Sequence, residues 1–457
     1  MFDYIDGAAE AERTMRANCE AFGDVGFVPQ MAVPGLTVSP SLRTTVLGTE
    51  VAIPVLLAPV GFTRAMEPGG DVAGAAAAAA KGTIFTLSSM SGHTMEEVAA
   101  ASAAPKWFQL YGLGGKDGAR QLVERARGLG YTALVVTVDT PIPGNRERDL
   151  HHGVTMPLRV TRETAARFAP QALVRPGWLY RFARDRFSMD LAMARGLGDP
   201  AAPMSIDEAV IAWVLNPVTW DDFGWLRESF GGPVLAKGVL SGADARRAVD
   251  AGATGVIVSN HGGRQLDGVP AALVGLDDVV REVGADVEVL MDGGVRRGSD
   301  VAKALAMGAR AVLVGRPWAF GLAAAGEPGV ERIIEILRTE LDRTLRLLGV
   351  ESVAVLGREH VAVPAAWGER PRAPRTRARR AAASSRNTSA PPTISSAVVM
   401  SPPRRRGRGC GARSGVTSAA GRRAGPRSAP RPGATSKGST SRAPSRGTSG
   451  TGARARG

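Results

Sequence analysis

The run Ser259-Asn260-His261-Gly262-Gly263-Arg264-Gln265-Leu266-Asp267 puts an imidazole three positions before a guanidinium, with two glycines between them. The glycines permit a tight, open loop, the imidazole titrates near neutrality, and the guanidinium forks onto carboxylates. The segment therefore suits a base standing beside a carboxylate-binding group. A second run, Asp292-Gly293-Gly294-Val295-Arg296-Arg297-Gly298, and a third, Gly315-Arg316, have the makings of an anion site. Glycine lets backbone amides approach an oxyanion, the following helix N-terminus adds partial positive charge, and arginine offers two parallel donors. Phosphate is the expected ligand. A lone histidine is more often structural and a Gly-Gly pair is more often only a turn, so the meaning of each motif depends on where the fold puts it.

Eight short apolar runs recur along the chain at 55–60, 84–88, 107–111, 133–139, 233–237, 255–260, 288–292 and 311–315. They are rich in Val, Leu and Ile without polar alternation, which is how parallel strands buried on both faces read. Ala-, Glu- and Arg-rich stretches with helical spacing lie between most of them, at 70–81, 94–103, 117–129, 241–251 and 298–308. Eight strand-then-helix units predict an α/β chain folded as a (β/α)8 TIM barrel. In that fold the active site lies at the C-terminal ends of the strands. Those ends carry Ser88, Gln109, Tyr111, Thr137, Asp139, Lys237, Ser259 to His261, Asp292, and Gly315 with Arg316, so polar groups are expected to converge on one face. No metal-ligating set is expected among them.

The spacing breaks once, after the fourth strand, where an inserted segment spans about residues 145–216. It includes the basic, aromatic stretch Arg175 to Phe187. Such a stretch could lie on an anionic membrane surface, but a lid over the barrel mouth is the preferred reading.

Composition divides the chain in two. Residues 369–457 hold 21 Lys and Arg against one acid and no Phe, Trp or Tyr, so of the whole-chain charge of +14 residues 1–368 carry −6. The basic balance thus says nothing about what residues 1–368 bind. A segment so poor in large apolar side chains cannot offset its ordering entropy, and residues 369–457 are expected to be a disordered, low-complexity tail with no specific nucleic-acid partner. With two cysteines, Cys19 and Cys410, no disulfide framework is plausible. No apolar leader or span of about 18 residues is present, so a cytoplasmic protein is expected, with peripheral contact on the inner membrane face as the variant.

Taken together, these motifs resemble the FMN-dependent α-hydroxy acid dehydrogenases and oxidases, which include L-lactate dehydrogenase, lactate oxidase, glycolate oxidase and mandelate dehydrogenase. The resemblance rests on Ser259 to Asp267 and runs in order through Phe2-Asp3-Tyr4, Ala58-Pro59-Val60-Gly61, Leu87-Ser88-Ser89, Phe108-Gln109-Leu110-Tyr111, Thr137-Val138-Asp139, Arg146-Glu147, Lys237-Gly238, Asp292 to Asp300 and Gly315-Arg316. It implies FMN over the barrel mouth, with Pro59, Val60 and Gly61 along its reactive face and Ser88, Gln109 and Thr137 at its ring edge. It also implies Lys237 beside the ring, Ser259 nearby, and Asp292, Gly293, Gly294, Val295, Arg296, Gly315 and Arg316 around the phosphate. For the substrate it implies a carboxylate held by Arg264 and Arg146, with Tyr4 and Tyr111 as further donors. His261 would be the base and Asp139 its partner.

The implied activity is oxidation of an L-2-hydroxy acid, L-lactate-like, to the 2-oxo acid, with a quinone or O2 as electron acceptor. Met90 suggests a small to medium aliphatic side chain. Gly61, where family oxidases often carry Ala, leans towards a dehydrogenase or a monooxygenase-like member, and faster reoxidation by a quinone than by O2 is expected. The family also implies a homo-oligomer, a tetramer. Two departures stand out. The family usually has a further helix before Phe-Asp-Tyr, whereas Tyr4 here stands three residues from Met1, so if Met1 is the true start the segment holding Tyr4 is expected to fray; and the tail has no counterpart. A phosphate-binding aldolase or isomerase using Lys237 as a Schiff-base nucleophile is the competing enzyme reading, and nucleic-acid binding through the tail is the non-enzyme reading.

Overall fold

The computed structural model describes residues 2–33, 39–151, 162–185, 191–199, 202–203 and 205–367. All lie in the first of two units, Met1–Ala378; the second, Arg379–Gly457, and with it the expected disordered tail, lies outside the described residues.

All eight expected strands form. They are β1 (Val55–Leu57), β2 (Phe85–Ser88), β3 (Lys106–Leu110), β4 (Ala133–Thr137), β5 (Val234–Val239), β6 (Gly255–Val258), β7 (Glu288–Asp292) and β8 (Val312–Val314). They pair in parallel in chain order and close, with Leu134 opposite Val234 between β4 and β5 and Val55 opposite Val312 between β1 and β8. Side chains alternate about each strand. Leu56, Trp107, Val135, Leu235, Ile257, Leu290 and Leu313 fill the barrel, whereas Val55, Leu134, Val136, Val256 and Val258 face outward into the layer beneath the helices. Burial on both faces is why the runs carry no polar alternation. A hairpin, Thr44–Val46 with Thr49–Val51, lays Val46 and Val51 against the barrel interior. Leu47 donates to Glu288 at the start of β7, so the hairpin closes the end away from the polar strand ends.

The helices are α1 (Phe2–Asp6), α2 (Arg13–Asp24), α3 (Gly70–Ala80), α4 (Met95–Ala101), α5 (Gly115–Gly128), α6 (Glu147–His151), α7 (Arg162–Leu173), α8 (Pro176–Arg184), α9 (Ile206–Leu215), α10 (Phe223–Phe230), α11 (Gly242–Asp250), α12 (Ala272–Val283), α13 (Gly298–Ala306) and α14 (Arg316–Leu348). The five helices that spacing predicts appear within one or two residues of their expected ends. Helix α14 is broken at Ala325 and Gly326, where Gly326 takes φ +64° two residues before Pro328.

The insertion supplies α6, α7, α8 and α9. Trp178 and Phe182, at i and i+4 on α8, stack with ring centroids 4.5 Å apart, and Phe182 buries itself among Tyr4, Ile5, Phe62, Ala65 and Met66. Polar ties reinforce this seat. Arg64 forks onto Asp185 at 2.9 and 2.6 Å, Arg181 meets Glu67 at 3.0 Å, and the Trp178 indole donates to the Met66 carbonyl. Helix α8 thus packs on the loop after β1.

Candidate active site

A cavity of about 530 Å³ opens at the C-terminal ends of the strands. Of the residues given a catalytic, substrate or cofactor role by the resemblance, all line it except Asp139 and Ser259. Those two stand directly behind lining residues: Asp139 behind His261, and Ser259 behind Lys237.

His261 holds φ +59°, a left-handed conformation rare outside glycine, and Gly262 and Gly263 continue it at +65° and +78°. This turn brings the imidazole between two partners. Its Nδ1 lies 3.0 Å from Asp139 Oδ1 and its Nε2 lies 3.2 Å from the Tyr111 hydroxyl. Burial works to raise the Asp139 carboxyl, but the charge and hydrogen bond of His261, with the ammonium of Lys237, hold it below the usual carboxylate range. Asp139 can approach because residue 238 is glycine. Gly238 has φ +108°, and a Cβ there would lie 2.6 Å from the Asp139 side chain. Burial, then the charge of Asp139, pushes the Tyr111 hydroxyl well above its usual value, so it stays protonated as a donor.

Arg264 and Arg146 converge on one spot. Their guanidinium carbons stand 4.9 and 5.4 Å from the centroid of the Tyr4 ring. Arg264 gives Nη1 to the carbonyls of Tyr4 and Gly7, while among the described residues its Nε and Nη2 make no hydrogen bond. Burial and the like charge of Arg146 pull the Arg264 guanidinium below its ordinary value. The loop bearing Arg146 is held by Gln265, which donates to the carbonyls of Asp139 and Ile142 and accepts from Gly144. Arg146 also pairs with Asp149 at 3.0 Å, and the two guanidiniums beside the Tyr4 ring offer donors to a further anion.

The segment expected to fray is tied down. Arg316 donates to the carbonyls of Ile5, Gly7 and Gly262, and Tyr4 is buried with its hydroxyl 3.5 Å from the Gly61 carbonyl. Arg316 therefore serves the end of α1 as well as the cavity. Burial, with the charges of Arg264 and Arg296, pushes it down to about 10.

On the opposite wall Ser88 donates to Gln109 Oε1 at 3.1 Å, and Gln109 Nε2 donates to Thr137 at 3.0 Å, a polar chain across three adjacent strand ends. Lys237 Nζ sits 2.8 Å from Asp292 and 2.9 Å from the Ser259 hydroxyl. Burial acts to lower it, but Asp292 and Asp139 outweigh that and raise it, so it remains an ammonium.

At the end of β7, Gly293 and Gly294 take φ +95° and +84°, and a Cβ on Gly294 would overlap the carbonyl oxygen of Asn18. Asn18 exchanges two amide hydrogen bonds with Asn260 and accepts from the Ala272 amide. Asp292 Oδ1 is buried without a hydrogen-bond partner among the described residues. Bare backbone, an unsatisfied carboxylate oxygen and the guanidinium of Arg316 beside the charges of Arg264 and Arg296 fit a phosphate-bearing, hydrogen-bonding cofactor.

The family model for FMN-dependent dehydrogenases matches residues 1–363. The chain belongs to this family. Its cofactor is FMN. Similar family members include the pre-mycofactocin synthase of Mycobacterium tuberculosis, 44% identical over 80% of this chain and 91% of that one. The L-lactate dehydrogenase of Caulobacter vibrioides is 42% identical over 80% and 94%. A solved family structure described as a monotopic membrane protein, (S)-mandelate dehydrogenase, superimposes with a TM-score of 0.72 at 35% identity, covering 79% of this chain and 94% of the other.

The sequence assigns no role to several residues that build the site. Asn18, Gly144, Gly238 and Gln265 act through contacts distant in sequence. Helix α9 was folded into a general lid, although Ser205 and Glu208 before an apolar run form a legible capping box. Of the insertion, Arg146, Leu191, Ser205 and α9 line the cavity, while the described part of the 175–187 stretch does not.

Proposed function

We propose that this chain oxidises an L-2-hydroxy acid to the 2-oxo acid, residues 1–368 forming the catalytic unit. The observation that carries the reading is His261, held between Asp139 and Tyr111 beside the arginine pair. Arg264, through its remaining donors, and Arg146 hold the substrate carboxylate, with Tyr4 and Tyr111 as further donors. His261 Nε2 takes a proton from the substrate, and Asp139 fixes the tautomer through Nδ1 and steadies the imidazolium that results.

FMN, when bound, supplies the two-electron acceptor. Pro59, Val60 and Gly61 would face its ring, with Ser88, Gln109 and Thr137 at the edge. Lys237, steadied by Ser259, would present positive charge, and Asp292, Gly293, Gly294, Val295, Arg296, Gly315 and Arg316 would hold the ribityl phosphate region. Electrons leave for a quinone in preference to O2.

A Schiff-base aldolase is disfavoured by Lys237, which is locked between Asp292 and Ser259 as an ammonium and not poised as a free amine. Anaerobic mixing of the yellow protein with a 2-hydroxy acid should bleach its visible absorbance. Failure to bleach with any 2-hydroxy acid removes the reading.

Peripheral membrane contact is proposed for the outer side of the insertion, where Leu173, Val174 and Tyr180 are exposed beside Arg175 and Arg184. Among the described residues no helix is long and apolar enough to cross a membrane.

A further inference from the structure

Helix α9 presents one face to the cavity. Ile206, Val210 and Trp213 stand at i, i+4 and i+7, and all three line it. The helix is fixed at both ends of that face. Ser205 and Glu208 cap its start reciprocally, and the Gly114 amide donates to the Ala209 carbonyl at 3.0 Å. Gly112 leaves room for the far end, since a Cβ there would lie 3.1 Å from the Asn216 carbonyl and 3.6 Å from Trp213 Cδ1.

Trp213 is 8% exposed, and its ring stacks on Tyr111 with centroids 4.7 Å apart and planes 30° from parallel. Tyr111 in turn reaches His261 with its hydroxyl. The aromatic surface is thus one ring away from the base. Met90 and Leu191 complete an apolar wall of five side chains beside the polar cluster.

We infer that the substrate side chain is a flat, bulky apolar group of the aryl class, seated against Trp213, and that Trp213 sets its size. The inference rests on the 2-hydroxy acid reading above. A methyl group on the α-carbon covers only a small part of a five-residue wall and leaves the rest facing water. A ring covers it and adds the edge or offset-face attraction that aromatic pairs favour. Met90 by itself points to a smaller aliphatic group, but it is one residue of the five. The base and arginine pair fix the α-carbon and the carboxylate, so the third substituent is the one left to meet α9.

The test compares kcat and KM for L-lactate, 2-hydroxyoctanoate and (S)-mandelate in the FMN-loaded full chain and its Trp213→Ala, Trp213→Phe and Val210→Ala variants. The native protein should prefer mandelate to lactate by about tenfold or more in kcat/KM, the scale on which apolar pockets discriminate. Trp213→Ala should lower kcat/KM for mandelate by roughly 10- to 100-fold, mainly through KM, and for lactate by less than about threefold. Trp213→Phe should restore most of it. Equal losses on both acids, a native preference for lactate, or a preference for the octanoate that Trp213→Phe leaves unchanged would each overturn the inference. If Trp213→Ala does not fold, Val210→Ala gives the same comparison at smaller amplitude. A yellow, folded protein that turns over none of the three acids strikes the underlying reading instead.

Discussion

Asn18 and Asn260 face each other across the barrel mouth and exchange two amide hydrogen bonds, each 2.8 Å long. Asn260 precedes His261, the proposed base, and the Asn18 carbonyl lies where a Cβ on Gly294 would fall. One buried pair therefore holds the two halves of the site in register. Asn18→Leu strands the Ala272 N–H and leaves the Asn260 amide with only Pro270 and Gly263 as partners, at a cost of about 1–3 kcal/mol for a group left unsatisfied. FMN affinity and turnover should fall together in that variant, as flavin titration and steady-state rates will show. Loss of stability with unchanged FMN affinity would reduce the pair to a packing role.

His261→Gln should keep the yellow colour and lose turnover by about 10²–10⁴-fold, the usual scale for a general base. Normal rates of anaerobic bleaching in this variant would exclude it from that role.

Asp139 is held below the usual carboxylate range, so its contribution to stability is present above the unfolded value near 3.8 and disappears only as pH falls through the lower folded value. Acid unfolding should begin at higher pH in Asp139→Asn, while behaviour between pH 6 and 9 shows no step from this carboxyl. Melts across pH for native and variant protein decide it.

Arg264→Lys keeps a charge but gives up the fork. A lysine can reach the Tyr4 or Gly7 carbonyl, yet it cannot also offer two parallel donors to a carboxylate. KM should rise about 10- to 100-fold, the loss of a charge-assisted hydrogen bond, with a smaller change in kcat. A kcat defect at constant KM would place Arg264 in the chemical step.

Gly238→Ala tests how tightly the base is supported. The added methyl meets Asp139 at 2.6 Å in a left-handed backbone. Turnover should approach that of Asp139→Asn, and combining the two changes should cost less than their sum. Additive losses would show that residue 238 acts elsewhere.

Vesicle co-sedimentation tests the outer side of the insertion. Binding should require anionic lipid, weaken with salt and fall sharply in Leu173→Glu and Tyr180→Glu. Equal recovery with neutral vesicles would point to non-specific adhesion.

The barrel was legible because a parallel strand buried on both faces leaves a run such as Ala133–Thr137 with little polar interruption. Strand ends were legible too, since Lys237, His261 and Asp292 are costly to bury unless a site needs them. Other parts were not. Nothing local in Gly238 or Asn18 announces Asp139 or Gly294 as its neighbour, because those contacts exist only once the barrel closes. The apolar face of α9 reads as ordinary core until the fold turns it towards the cavity.

The ties of α1 also set a timetable. Arg316 donates to the Ile5 carbonyl across a separation of 311 residues, and Arg264 to Tyr4 across 260. The segment bearing Tyr4 is synthesised well before either of its anchors. At roughly 5–20 residues per second it waits on the order of 15–60 s for them. The newborn chain is thus without a finished carboxylate pocket until nearly the whole barrel has been made.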